Sequence, residues 1–172
     1  EPLADFVDLF FLGEGEEVDL EVIDLYKEYK AKGGNDKKEF LKLASKIEGV
    51  YVPFLYDVQY DEEGKISRYI PKEGAPERVQ KRIMTDMDNS FYPKNIPVPF
   101  TEIVHDRAVM EIFRGCIRGC RFCQAGFIYR PVREKSADVI NSEAKTLCDN
   151  TGYDEMSLSS LSTSDYTEIE SL

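Results

Sequence analysis

The chain has 172 residues, 42% of them hydrophobic, and a formal net charge of −11. No apolar run is long enough to span a bilayer and no signal-peptide pattern is present, so a cytoplasmic protein without membrane contact is expected. The acidic balance argues against a general nucleic-acid-binding surface, and the length allows one domain or two small ones. Glu1 opens the chain and Thr167 to Leu172 read as the start of a helix, so a piece of a longer protein is expected.

Residues 2–12 end in an apolar run that meets Gly13-Glu14-Gly15-Glu16. A strand, a glycine turn and an acidic helix start make a βα unit. Val18, Val22, Leu25 and Tyr29 recur at helical spacing, with Ile23 and Tyr26 widening the stripe. Gly33-Gly34 ends that helix, and Asn35 or Asp36 can cap a second one whose buried face is Phe40, Leu43, Ala44 and Ile47. Both stripes read as core. Residues 49–70 read as a hairpin, with Val50–Val52 and Leu55–Tyr60 going out, Asp61–Gly64 turning and Lys65–Ile70 returning. Pro76 is expected to open a short segment through Val79 and Ile83. Pro93, Pro97 and Pro99 exclude a continuous helix or a central strand from 88 to 99. Residues 49–106 therefore read as a hairpin and Pro-rich linker. His105, the single histidine, just precedes the next strand, and lone histidines are more often structural than catalytic.

Ala108–Phe113 is rich in strand formers and is expected to be a buried strand. Three of the four cysteines follow it, Cys116, Cys120 and Cys123, spaced C-x3-C-x2-C and loosened by Gly115 and Gly119. Three thiolates this close repel and oxidise unless something holds them. An iron–sulfur cluster is the natural holder, because its irons take cysteine thiolates. Three ligands for four irons leave one iron open to chemistry. Zinc instead needs four protein ligands in a closed tetrahedron, and the spare donors, Cys148 and His105, are distant in sequence. A disulfide would leave one thiol of the trio unpaired, with no secretory context for oxidation.

After the cysteines, Ser136 suits an N-cap with Asp138 in the first turn. Ile140, Ala144, Leu147 and Cys148 face inward, and Gly152 ends the helix. Glu155–Leu158 begins a second strand that runs into the polar loop Ser159–Tyr166. The order is βαβα, the repeat of a parallel sheet or (β/α) barrel, whose active sites lie at the carboxyl ends of the strands. Loops 114–135 and 159–166 fall on that face. From Arg107 to Lys135 there are seven basic residues and two acidic ones, a positive island within an acidic chain. It coincides with the cysteine loop, where an anionic cluster and a ligand carboxylate need balancing.

The Cys116, Cys120, Cys123 array resembles the signature of the radical S-adenosylmethionine (SAM) superfamily. The resemblance implies a 4Fe–4S cluster on these three cysteines, with SAM's amino and carboxylate groups on the open iron. It places Phe122, the aromatic residue before the third cysteine, beside the adenine. Members commonly carry a GGE-like segment after the second strand, which holds SAM's amino end. Here the segment is Ser159-Ser160-Leu161-Ser162, similar to hydroxyl-rich variants, so Ser159, Ser160 and Ser162 are the residues expected at SAM's polar end. Arg130-x-x-Arg133-Glu134-x-Ser136 is similar to a segment that follows the cluster loop in SAM-dependent methylthiotransferases. Arg130 and Arg133 suit carboxylate or phosphate contacts, or a plain surface salt bridge with Glu134.

Strand-GEGE-helix resembles the closing unit of the cobalamin-binding-type domain found before the barrel in many radical SAM proteins. Taken whole, the chain resembles uncharacterised radical SAM proteins of that build. The implied fold is α/β. Residues 1–48 are the last βα unit of a Rossmann-like cobalamin-binding-type domain plus a helical connection, 49–106 the linker, and 107–172 the first βαβα units of the barrel. Any cobalamin contacts of the parent lie upstream.

Two functions follow. The first is an enzyme that reductively cleaves SAM to a 5′-deoxyadenosyl radical. The resemblance implies an electron donor such as flavodoxin or ferredoxin, and leaves the substrate open, with RNA or a ribosomal protein suggested by the methylthiotransferase-like segment. The second is a zinc-stabilised interaction module without catalysis. A (β/α)8 barrel needs about 200 residues or more, whereas 65 run from Ala108 to Leu172. The piece is therefore expected to lack most of the substrate pocket, to expose a sheet edge and to be inactive alone.

Overall fold

A computed structural model describes residues 2–72 and 74–172. The chain divides into two compact units, Glu1–Met84 and Thr85–Leu172.

In the first unit the apolar run becomes strand only at β1 (Phe10–Phe11). Helices α1 (Gly15–Ala31) and α2 (Lys37–Ala44) follow, then strands β2 (Val50–Tyr51), β3 (Tyr56–Tyr60) and β4 (Ile66–Pro71). Gly13 makes the turn into α1 at φ +112°, and a Cβ there would stand 2.0 Å from the Arg82 carbonyl oxygen, so only glycine fits. Arg82 also carries a side chain that reaches Glu17 and Glu21 at 2.6 Å each. Those contacts fix the first two turns of α1 from outside, and Glu16 and Glu17 in the first turn suit the positive helix end.

Helix α1 buries Val18 and Val22, with Leu25 packed beside them, while Ile23 and Tyr26 stay about half exposed. The buried stripe is thus narrower than the sequence pattern. Asp36 caps α2, its carboxylate accepting from the Lys38 N–H at 2.8 Å. Leu41 and Ala44 are the buried residues of α2, so Leu41 joins a face that periodicity drew through Phe40 and Leu43. A short 3-10 turn at Pro53–Leu55 then leads the chain into β3.

Val50–Tyr51 was expected to open the hairpin; instead β2 pairs antiparallel with β1, Phe10 opposite Tyr51. The hairpin proper is β3 against β4, turned where the Asp61 carboxylate accepts from the Glu63 and Lys65 N–H groups. No helix follows Pro76. The chain there stays irregular until Arg82 bridges to Gly13, because the Arg82 N–H and carbonyl are taken by Leu12 and Glu14.

The second unit holds β5 (Ala108–Glu111), β6 (Phe113–Arg114), α3 (Ala125–Ile128), β7 (Arg133–Glu134), α4 (Ala137–Thr151) and β8 (Met156–Ser159). Strands β5 and β8 pair in parallel, Ala108 opposite Met156 through Glu111 opposite Ser159, with α4 as the connection. This is one βαβ unit, so the chain is mixed α/β as expected. Ser136 caps α4 and Gly152 leaves it in the left-handed region at φ +80°. Ala108, Met110, Ile112, Phe113, Ile140, Leu147 and Tyr166 form the core. Val109 is 46% exposed, so β5 is covered on one face rather than both. The expected helix at Thr167–Leu172 is a single 3-10 turn, Ile169–Ser171. The buried Tyr166, its hydroxyl donating to the Lys135 carbonyl at 2.8 Å, draws the chain across β7 instead.

Candidate functional site

The cysteine loop leaves β6 and returns as β7, two strands that pair antiparallel with Phe113 opposite Glu134 and Arg114 opposite Arg133. Its base is therefore closed by backbone hydrogen bonds. Glu111 and Arg114 brace the outgoing side through a two-pronged contact at 3.0 and 2.9 Å. Below the base lies Lys135, wholly buried, its Nζ 2.6 Å from Glu143 and 4.5 Å from the centre of the Tyr92 ring.

Within the loop, Gly119 sits in the left-handed region at φ +62°, and Gly126 at the start of α3 packs close to it. The Cys123 N–H donates to the Cys120 carbonyl at 3.1 Å, a tight turn that spans the second half of the motif. Cys116 and Cys123 are half-buried and Cys120 is exposed. Phe122 is 92% exposed, so its ring has no packing role that would explain it as core.

Because β5 and β8 run in the same direction, the loop that leaves β8 emerges at the end where the cysteine loop begins. The two loops meet. Arg118 grips Asp165 with both prongs of its guanidinium, Nε donating to Oδ2 at 2.7 Å and Nη2 to Oδ1. Ser162 Oγ donates to the same carboxylate at 2.7 Å. The Arg118 hydrogen bonds, helped by Ser162, hold the Asp165 carboxyl below the usual carboxylate range, with burial opposing. Asp165 in turn pushes the Arg118 guanidinium up, chiefly through the hydrogen bonds between them. A cavity of about 160 Å³ lies between the loops, bordered by Cys116, Ile117, Ser162 and Asp165 among others.

The serine residues divide by role. Ser159 ends β8 and is exposed, its carbonyl accepting from the Ile112 N–H at 3.1 Å. Ser160 Oγ pairs with Thr163 Oγ1 at 2.9 Å, so this hydroxyl and that of Ser162 shape their own loop. Arg133 is buried and its Nε donates to the Pro131 carbonyl at 3.0 Å, while Arg130 is exposed. Sequence reasoning counted Arg118 only as one charge of the basic island and gave Asp165 no role. The legible signal was an arginine between the first two cysteines and an acid at the end of the serine loop.

Three thiols on one loop match a thiolate-held cluster in kind and number. They are not gathered for it: among the described residues, no three Cys, His, Asp or Glu side chains lie together where they could hold a metal ion. The thiols must turn toward a common centre to bind one. A closed zinc site is no better assembled, since Cys148 and His105 form no such group with the trio. Among the described residues, no helix is long and apolar enough to cross a membrane.

Residues 1–53 match the family described as radical SAM proteins, N-terminal, which makes the opening segment a radical SAM-related domain. The chain is also 32% identical over 139 residues to uncharacterized protein MJ0966 of Methanocaldococcus jannaschii, a match that covers 80% of this chain and 23% of that protein. The chain thus spans less than a quarter of that relative's length. No solved structure matches it significantly.

Proposed function

We propose that the chain carries the cluster loop of a radical SAM enzyme, with Cys116, Cys120 and Cys123 as the iron ligands. The observation that carries this reading is the position of the C-x3-C-x2-C loop, which lies beyond the carboxyl end of β5 in a parallel βαβ unit, after the short strand β6, and touches the loop that follows β8, the parallel neighbour of β5. That end is where α/β barrels gather reacting groups. The radical SAM match of residues 1–53 lends the reading weight from a different part of the chain.

A 4Fe–4S cluster bound here supplies a low-potential electron and an open iron for a sulfonium cosubstrate. The chain's own residues do the holding. The β6–β7 pair fixes the mouth of the loop, and Gly119 lets the backbone reverse between the first and second cysteines. Arg114, Arg118 and Arg121 flank the three cysteines in sequence, a basic run that suits a bound anionic cluster. Phe122, bare to solvent, offers a flat face to a nucleobase, and the exposed Ser159 offers a hydroxyl to a polar end group. Arg130, also exposed, suits a carboxylate or phosphate. The reaction after radical formation, an RNA or protein substrate, and reduction by a flavodoxin or ferredoxin belong to the parent protein and stay at the level of analogy.

Anaerobic reconstitution with iron and sulfide tests the ligand set. The expected content is about four irons and four sulfides per chain, lost when any one of Cys116, Cys120 or Cys123 becomes Ala and kept in Cys148→Ala. Stoichiometric zinc with no iron, or a cluster that depends on Cys148, would sink the reading.

A further inference from the structure

We propose that Asp165, acting through Arg118, is a positioning residue that ties the cysteine loop to the β8 loop and so holds the Cys116–Cys120 half of the ligand set in place. This rests on reading the cysteines as cluster ligands.

The anchor is on the Asp165 side. Its N–H donates to the Ser162 carbonyl at 2.8 Å, and Ser162 Oγ fixes one carboxylate oxygen. The next residue, Tyr166, is buried, stacked on Phe113 at 6.5 Å and bonded to the Lys135 carbonyl. The carboxylate side chain is 17% exposed, against 58% for the guanidinium that reaches it. Asp165 is thus part of the folded body and Arg118 is an arm of the loop. The pair joins positions 47 apart in sequence, at the same end of two parallel strands.

An exposed ion pair contributes little to global stability. A two-pronged one that closes a surface loop has a different effect, because it raises the cost of local opening while the core stays folded. Metal ligands depend on supporting contacts of this kind, and losing them weakens metal retention even though no ligand is removed. Arg118 lies between Cys116 and Cys120 in sequence, so the tether acts on the stretch that carries the first two ligands and not directly on Cys123.

The test compares the unsubstituted chain with Asp165→Asn, Asp165→Glu, Arg118→Gln and the Arg118→Gln, Asp165→Asn double variant. Amide hydrogen exchange in the metal-free chain reads the tether without any cluster. Iron loss to a chelator after anaerobic reconstitution reads its consequence. Asp165→Asn should speed exchange at residues 116–120 by about tenfold while α4 keeps its protection, and should speed iron loss several-fold. Asp165→Glu should recover part of both effects, and the double variant should be no worse than either single change. Unchanged exchange at 116–120 in Asp165→Asn would overturn the proposal. So would equal loosening of α4, or loop amides that already exchange at the unstructured rate before substitution. If the unsubstituted chain takes up no cluster, the ligand reading fails while the exchange comparison still decides the tether.

Discussion

Gly115 lies against the returning strand so closely that a Cβ on it would stand 2.6 Å from the Pro131 carbonyl oxygen. Its φ of +97° is also outside the range that side chains tolerate. Both facts act on the mouth of the cysteine loop, where β6 and β7 pair. Gly115→Ala should therefore cost about 2 kcal/mol or more, combining backbone strain with a contact that backbone atoms cannot relieve. Urea unfolding followed by circular dichroism checks this. A midpoint equal to that of the unsubstituted chain would mean that the loop mouth is not tightly packed.

Lys135 makes a second, independent prediction. Its side chain is wholly buried against Glu143, which is 21% exposed, and against the Tyr92 ring. Removing the carboxylate strands a buried ammonium, whereas replacing the lysine with an apolar chain of similar length strands only a partly exposed carboxylate. Glu143→Ala should thus destabilise by about 2–4 kcal/mol and Lys135→Met by clearly less. The ordering is the test, measured as unfolding free energies in one buffer. The reverse ordering would show that the ammonium finds water or another acceptor.

Acid should loosen the chain through Asp86 and Asp165. Asn89, through its side-chain amide first, holds the Asp86 carboxyl low, and Arg118 does the same for Asp165. A carboxyl whose folded pKa is depressed stabilises the fold fully above its unfolded value of about 3.9 and loses that contribution as pH falls toward the folded value. The gap in thermal midpoint between the unsubstituted chain and Asp165→Asn, small because the pair acts chiefly on local opening, should be constant above about pH 5 and should close below about pH 4. Asp86→Asn should behave likewise. A gap that widens on acidification would reverse the sign of the linkage.

Local chemistry was legible in the sequence wherever one residue type decides the geometry. Asn35 or Asp36 suits a cap and Asp36 supplies it, Ser136 suits a cap and caps, Gly152 suits a helix stop and stops α4, and Asp61–Gly64 suits a turn and turns. Partner choice was not legible. Val50–Tyr51 has the same strand-forming character whether it pairs with β1 or with the hairpin, and only the fold decides for β1. Val109 looks as buried as Met110 in a run of apolar residues, yet β5 is covered on one face. The cysteine trio was legible as a set because its spacing is local. Its tie to Asp165 was not, because α3, β7, α4 and β8 lie between the two residues in sequence, and a charge count cannot say which arginine meets which acid.

Electron paramagnetic resonance of the chain, reconstituted anaerobically, reduced with dithionite and recorded with and without SAM, bears most directly on three thiolates surrounding an open iron. The predicted result is a reduced-cluster signal that shifts when SAM is added and vanishes in Cys120→Ala. A signal indifferent to SAM, or one that persists in Cys120→Ala, would contradict it.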